Sequence, residues 1–190
     1  DGTILICGYS SSDNPSRIYA IGDGKERVVY LENEYGTLYK GHAGGITSSG
    51  DYVYISNASK IFILRLKDVL STPSGDKLSF IGHFSVPCRS SYCSSDGNYL
   101  YVGEYYAPGY NTDESHRLTT LDGKTHNAIT FAFPLDKDGK AGTEPVMVFS
   151  TSDKVQGFAA FSGKVALSVS AGLKESTILF YDGSGVDSSF

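Results

Sequence analysis

The chain has no tryptophan, one methionine, six prolines and three cysteines among its 190 residues. None of the cysteine spacings forms a Cys-x-x-Cys pair or a zinc-finger pattern, so neither a zinc knuckle nor a dense disulfide framework is encoded. Cys88 and Cys93 lie close enough in sequence to meet across a strand, which leaves a bridge or two buried thiols as alternatives. No cluster of lysine and arginine occurs, and the formal charge is −5. That balance excludes a nucleic-acid backbone as partner, because such binding needs a basic footprint. The longest apolar runs, such as Ile4 to Cys7 and Ile61 to Leu64, fall far short of the ~20 residues that a membrane-spanning helix needs. There is no Gly-x-Ser-x-Gly elbow, and Gly41 to Gly45 lacks the lysine and the following helix of a phosphate-cradling loop.

The composition that is present favours strands joined by tight turns: 14 tyrosines, 10 phenylalanines and 22 glycines. One block recurs, as Gly45 to Ile55, Tyr92 to Val102 and Phe158 to Ser168. Each copy reads as a short strand, a Gly-centred turn and a second strand of alternating apolar residues, the opening hairpin of a propeller blade. A second shared element, a polar residue entering an Ile-centred run, opens the next strand: Ser16-Arg17-Ile18-Tyr19, Ser59-Lys60-Ile61-Phe62, Asn127-Ala128-Ile129-Thr130 and Ser176-Thr177-Ile178-Leu179. Turn residues at Gly22 to Gly24, Pro73 to Asp76 and Asp136 to Gly139 then introduce fourth strands at Arg27 to Leu31, Lys77 to His83 and Pro145 to Ser150.

These signals predict an all-β chain: a β-propeller of four-stranded antiparallel blades spanning about 3–39, 44–86, 90–152 and 156–181. Blade one has no obvious first strand and blade four no fourth. The pattern therefore predicts an incomplete ring with about four blades represented, against the alternative of a small four-bladed ring with a partly open blade.

In such blades the loops joining the fourth strand to the next first strand, and the second to the third, share one face. His42, Arg89 and Gln156 fall on the former loops. The latter include an insertion from Glu104 to His126, far longer than its counterparts, which carries Tyr105, Tyr106 and His116. Aromatic rings with polar tips suit sugars, peptides or protein partners. The expected ligand-binding set is His42, Arg89, Tyr105, Tyr106, His126 and Gln156. Glu104 is expected to pair structurally, with Arg89 as one partner. Asp136 to Gly139 does not supply the first and last ligands of a calcium loop, since Pro134 and Pro145 stand there. Cys7 and Cys93 occupy apolar repeat positions and are expected in the core.

The Gly-His-x-Gly-Gly-Ile segment at Gly41 to Ile46 and the Gln-Gly-Phe segment at Gln156 to Phe158 resemble those of uncharacterised secreted bacterial propellers of the NHL, YVTN and gluconolactonase-like kind. The resemblance implies a propeller and a secreted or cell-envelope location. Gluconolactonase relatives hold an axial calcium ion with Glu, Asn and Asp. Carried onto this sequence, that role falls to Glu104 and Asn127, with Asn57 as a further donor and no Asp at the remaining positions. The expected function is a noncatalytic recognition propeller that binds a small molecule, glycan or protein. The alternatives are a calcium-dependent lactonase or esterase and a structural propeller within a larger protein.

Overall fold

The structure, a computed structural model, describes residues 2–10, 14–110, 112–121, 123–172 and 175–182. Four small sheets follow one another along the chain as the blades of a β-propeller. Blade 1 holds β1 (Ile4–Gly8), β2 (Arg17–Gly22) and β3 (Lys25–Glu32). Blade 2 begins with β4 (Gly45–Ser49), β5 (Tyr52–Asn57) and β6 (Lys60–Arg65), after which come helix α1 (Leu66–Ser71), β7 (Lys77–Ser79) and β8 (Gly82–Ser85). Blade 3 pairs β9 (Ser90–Ser95), β10 (Tyr99–Glu104), β13 (Ala128–Pro134) and β14 (Met147–Thr151). Its insertion adds a small hairpin, β11 (Leu118–Thr119) and β12 (Thr125–His126). Blade 4 holds β15 (Val155–Phe161), β16 (Lys164–Val169) and β17 (Thr177–Asp182). The inner strands β4, β9 and β15 pack side by side.

The hairpins form where the sequence supplies residues that accept positive φ. Asp23-Gly24 (φ 51° and 68°) and Ser162-Gly163 (φ 48° and 71°) both turn in the left-handed region, which matches the twist of the flanking strands. Alternation then sorts the side chains, because cross-strand partners share a face.

Three apolar clusters fill the seams between consecutive blades. Ile18 and Leu31 of blade 1 meet Val53, Ile55 and Leu64 of blade 2. Tyr54 and Ile61 of blade 2 meet Cys93, Val102, Phe131 and Phe133 of blade 3. Tyr92, Tyr101 and Ala132 of blade 3 meet Phe158 and Leu167 of blade 4. Burying each large aliphatic side chain contributes about 1.5–3 kcal/mol.

Two details differ from the sequence reading. The predicted strand from Lys77 to His83 is split: β7 leaves blade 2 and pairs in parallel with β3 of blade 1, Lys77 opposite Tyr30, and only β8 stays beside β6. Helix α1 causes this, since Val69 is buried in the blade 1–blade 2 cluster and the Arg27 guanidinium donates to the Leu70 carbonyl. The helix thereby carries the chain to the outside of blade 1. Register also shifts two counterparts by one residue. Ile18 pairs with Cys7 and Ile61 with Ser56, and the matching position opposite Gly103 is Thr130, not Ile129. Likewise Phe158, opposite Leu167, is the counterpart of Ile46, opposite Ile55, where the repeat spacing had suggested Ala159.

Polar pins cross the seams as well. Tyr54, fully buried, donates from its hydroxyl to the Gly139 carbonyl (2.7 Å) and accepts from the Ala141 N–H (2.8 Å), tying blade 2 to the β13–β14 turn. That turn lies so close that a Cβ on Gly139 would come within 2.2 Å of the Ser49 carbonyl oxygen. Replacing Tyr54 by Phe keeps the ring and strands both backbone groups. We expect Tyr54→Phe to lower the urea-unfolding free energy by roughly 1–3 kcal/mol, and an unchanged midpoint would show that the pin contributes nothing.

Candidate functional site

The register places one end of every inner hairpin on a common edge of the sheets. Gly8 pairs with Arg17, Gly45 with Ser56, Ser90 with Glu104 and Val155 with Val169. The loops beyond these pairs carry His42, Arg89, Tyr105 and Tyr106, whereas Gln156, expected on a connecting loop, sits inside β15 at the register shift between Val155 and Gly157.

His42 is projected outward by the residues around it. Ser16 donates to the Gly41 carbonyl (2.6 Å), the Cys7 thiol donates to the carbonyl of buried Ala43 (3.4 Å), and the Gly44 N–H donates to Ser56 (2.9 Å). Gly44 and Gly45 must lack side chains because β9 crosses directly over them: a Cβ would meet the Ser91 carbonyl oxygen at 2.5 Å and the Cys93 nitrogen at 2.7 Å respectively. Pinned in this way, the exposed His42 rests its ring on Tyr9, with centroids 4.1 Å apart. Tyr9 was not in the expected set. Its position, first after a second strand, corresponds to Tyr105 after β10 and was open to the same internal alignment.

Arg89 is exposed between buried Cys88 and buried Ser90, whose hydroxyl donates to the Ala58 carbonyl (2.8 Å). Tyr105 is half-buried and packs edge-on against exposed Tyr110, with centroids 5.1 Å apart and planes at 79°. Tyr106 is half-buried, and its carbonyl accepts from the Lys154 N–H (2.8 Å). Exposed Gln156 turns its carboxamide along the blade, donating to the Ser170 carbonyl (3.1 Å) and hydroxyl (2.9 Å). It closes the edge of blade 4 as much as it faces outward.

His126 goes elsewhere. Its Nδ1 lies 3.0 Å from the Ser150 hydroxyl, and the ring lines a cavity of about 150 Å³ on the blade 3–blade 4 seam, walled by Phe149, Phe158, Val165 and Leu167. A broader cleft of about 600 Å³ opens on the same seam between the turns at Asp96 and Ser162. Asp96 there accepts from the Tyr101 hydroxyl (2.9 Å). The sequence reading assigned nothing to this cleft, because its walls come from two different blades and only their packing brings Asp96 and Tyr101 opposite Ser162 and Lys164.

Glu104 is almost fully buried, and its expected partner is replaced. The carboxylate faces His116 Nδ1 at 2.9 Å, and the backbone N–H groups of Ile129 and Arg89 also donate to it. Arg89 thus contributes its main chain, not its guanidinium. His116 is delivered by a short 3-10 turn, Glu114–His116, capped by Asp113 accepting from the Ser115 N–H (2.9 Å). Burial holds the Glu104 carboxyl above the usual carboxylate range, partly offset by the hydrogen bond and charge of His116 and by the two backbone donors.

Asn127 donates through Nδ2 to Asp153 (3.0 Å), and its carbonyl accepts from Thr112 (3.0 Å). Asn57 donates to the Tyr39 hydroxyl (2.6 Å). These donor-rich surroundings do not fit a calcium ion shared by Glu104, Asn127 and Asn57, since the carboxylate is already turned to hydrogen-bond donors. Among the described residues no three His, Cys, Asp or Glu side chains form a cation-sized group. All three cysteines are free thiols. Burial pushes Cys7 up to about 11 and Cys93 up to about 12, and raises Cys88 as well, the opposite of an activated nucleophile.

No protein-family model matches the chain, and no curated protein matches it in sequence. Among solved structures, it is similar to the extracellular domain of a one-component system from B. thetaiotaomicron, with 10% identity and a TM-score of 0.37. That similarity covers 95% of this chain and 28% of the other, so the chain spans under a third of that structure's length. The fold assignment rests on the strand pairing described above.

The Glu104–His116 pair supports a test with a definite sign. A buried acid whose pKa is raised by folding is an ionised liability at neutral pH, and the liability is relieved as pH falls through the folded value. Removing His116 leaves the carboxylate without its side-chain partner. His116→Ala should therefore cost about 3 kcal/mol near neutral pH, and the loss should shrink in a buffer acidic enough for Glu104 to take up a proton. Denaturant titrations at the two pH values check this, and a loss that grows on acidification would contradict it.

Proposed function

We propose that this propeller is a noncatalytic recognition module, and that its loop edge binds a glycan through exposed rings flanked by polar tips. The observation that carries the reading is the pair of aromatic contacts on that edge, Tyr9 with His42 and Tyr105 with Tyr110, alongside exposed Arg89. Flat ring faces pack on the apolar faces of sugars, while imidazole, guanidinium and phenol tips meet hydroxyls. The backbone around His42 is tied to the blades through Gly41, Ala43 and Gly44, and the Tyr105 N–H donates to the Ser91 hydroxyl of β9 (3.2 Å), which reduces the ordering that would oppose binding. The groups that covalent chemistry would call on are engaged elsewhere: the thiols are raised by burial and the Glu104 carboxylate is paired. A surface of rings on an open edge suits an extended ligand better than a small molecule, which a closed cavity would hold. This reading goes with the secreted or cell-envelope location that the resemblance to secreted propellers implies.

Binding of the purified chain to an array of bacterial and plant oligosaccharides tests the proposal. We expect a defined subset of glycans to bind, and His42→Ala and Tyr110→Ala each to weaken binding about tenfold, which corresponds to about 1.4 kcal/mol, without moving the thermal midpoint. An array on which nothing binds above background would overturn the glycan reading, and specific capture of a protein would transfer the edge to protein recognition.

A further inference from the structure

The two outermost faces of the propeller differ from the rest of its surface. On blade 1, Ile4 pairs with Ile21, and Ile6 with Tyr19, which in turn pairs with Val28. These residues share the face directed away from blade 2, where Ile4 is 61% and Ile6 48% exposed. On blade 4, Ile178 and Phe180 lie beside Ser168 and Ala166 on the face directed away from blade 3, and are 53% and 68% exposed.

Both faces have counterparts that are fully covered. Across blade 2 the register aligns Gly45, Ser56 and Ile61; across blade 4 it aligns Gly157, Ser168 and Ile178, the same three residue types in the same order. In blade 2 Ser56 and Ile61 are sealed by blade 3 at 0% exposure, and Gly45 is half-buried beneath β9. The absence of a side chain at Gly45 is there required, because a Cβ would come within 2.9 Å of the Tyr92 Cα. Gly157 has the same vacancy without the neighbour: its Cβ would meet only the Ser168 Cβ, at 3.5 Å. On the other side, Ile4 and Ile6 of β1 correspond to Val53 and Ile55 of β5 and to Leu100 and Val102 of β10, all four fully buried against a preceding blade.

We infer that both faces are seams of a larger propeller, and that they are covered by further four-stranded blades carried on the same polypeptide. The blade that follows blade 4 would run its inner strand across Gly157 as β9 runs across Gly45. The three seams in hand all join blades that are consecutive on one chain, and the two open faces continue that series. A second copy of this chain does not supply the fit. Among its described residues no strand lies inside β1, so its first blade has nothing to cross Gly157.

The test compares the 190-residue chain with the protein made from the complete reading frame. In the 190-residue chain, Gly45→Ala should lower the thermal midpoint while Gly157→Ala leaves it nearly unchanged. In the complete protein the two substitutions should be similarly costly. Cysteines placed at Ile4 and Ile178 should react with a maleimide at least ~100-fold more slowly in the complete protein than in the 190-residue chain, as expected for sites that open only by local unfolding. Equal labelling rates in the two proteins would overturn the inference. So would a 190-residue chain that dimerises in solution with both cysteines protected, since a second copy would then be the occupant.

Discussion

Everything in this molecule depends on one blade covering the face of the next. A three- or four-stranded sheet of this size has two apolar faces and cannot bury either by itself. Stacked, the sheets share their faces: Ile18 and Leu31 are sealed by Val53 and Ile55, Ile61 by Val102 and Phe131, Tyr101 by Phe158 and Leu167. Stability is therefore a chain of nearest-neighbour contributions, which explains why Ile4, Ile6 and Ile178 at the two ends of the stack are so exposed while their register counterparts Val53, Ile55 and Ile61 are at zero.

The same covering sets the geometry of the loop edge. Because β4 and β9 approach too closely for side chains at Gly44 and Gly45, the backbone there is locked between strands, and His42 is the first residue free to face outward. Arg89 is exposed for the equivalent reason, held between two buried neighbours. Glu104 shows the cost of the arrangement. A carboxylate at the end of β10 is enclosed by its own blade, and the long insertion returns His116 to meet it. The insertion is thus fastened to the scaffold at a buried point, which brings Tyr110 against Tyr105 at the rim.

Much of the fold was legible from the chain. Alternation, Asp-Gly and Ser-Gly turns and the recurring block identified the hairpins and their blade order, because strand period and turn chemistry are local properties. Internal alignment also placed His42 and Arg89 at equivalent positions and put Cys93 in the core. It went astray where a long-range contact overrode a local signal. The Lys77 to His83 segment reads as one strand, yet α1 docks under blade 1 and draws its first half away. The Thr130 and Phe158 counterparts were missed by one residue, since only cross-strand pairing reveals which face a side chain shares. Glu104 and His116 are twelve residues apart in an irregular loop, and no spacing rule joins them.

Sequence alone determined the all-β architecture and the edge on which the long loops gather, because both follow from period, turn residues and length. Tertiary structure decided which polar groups are engaged and which are free: Gln156 closing its own blade, His126 facing a seam cavity, Asn127 bound to Asp153, and Glu104 paired with His116. It also decided which faces remain uncovered. The physical reason is common to both. Burial and hydrogen bonding are properties of pairs of elements brought together by the packing of blades, and a pattern read along one strand holds no information about what lies opposite it.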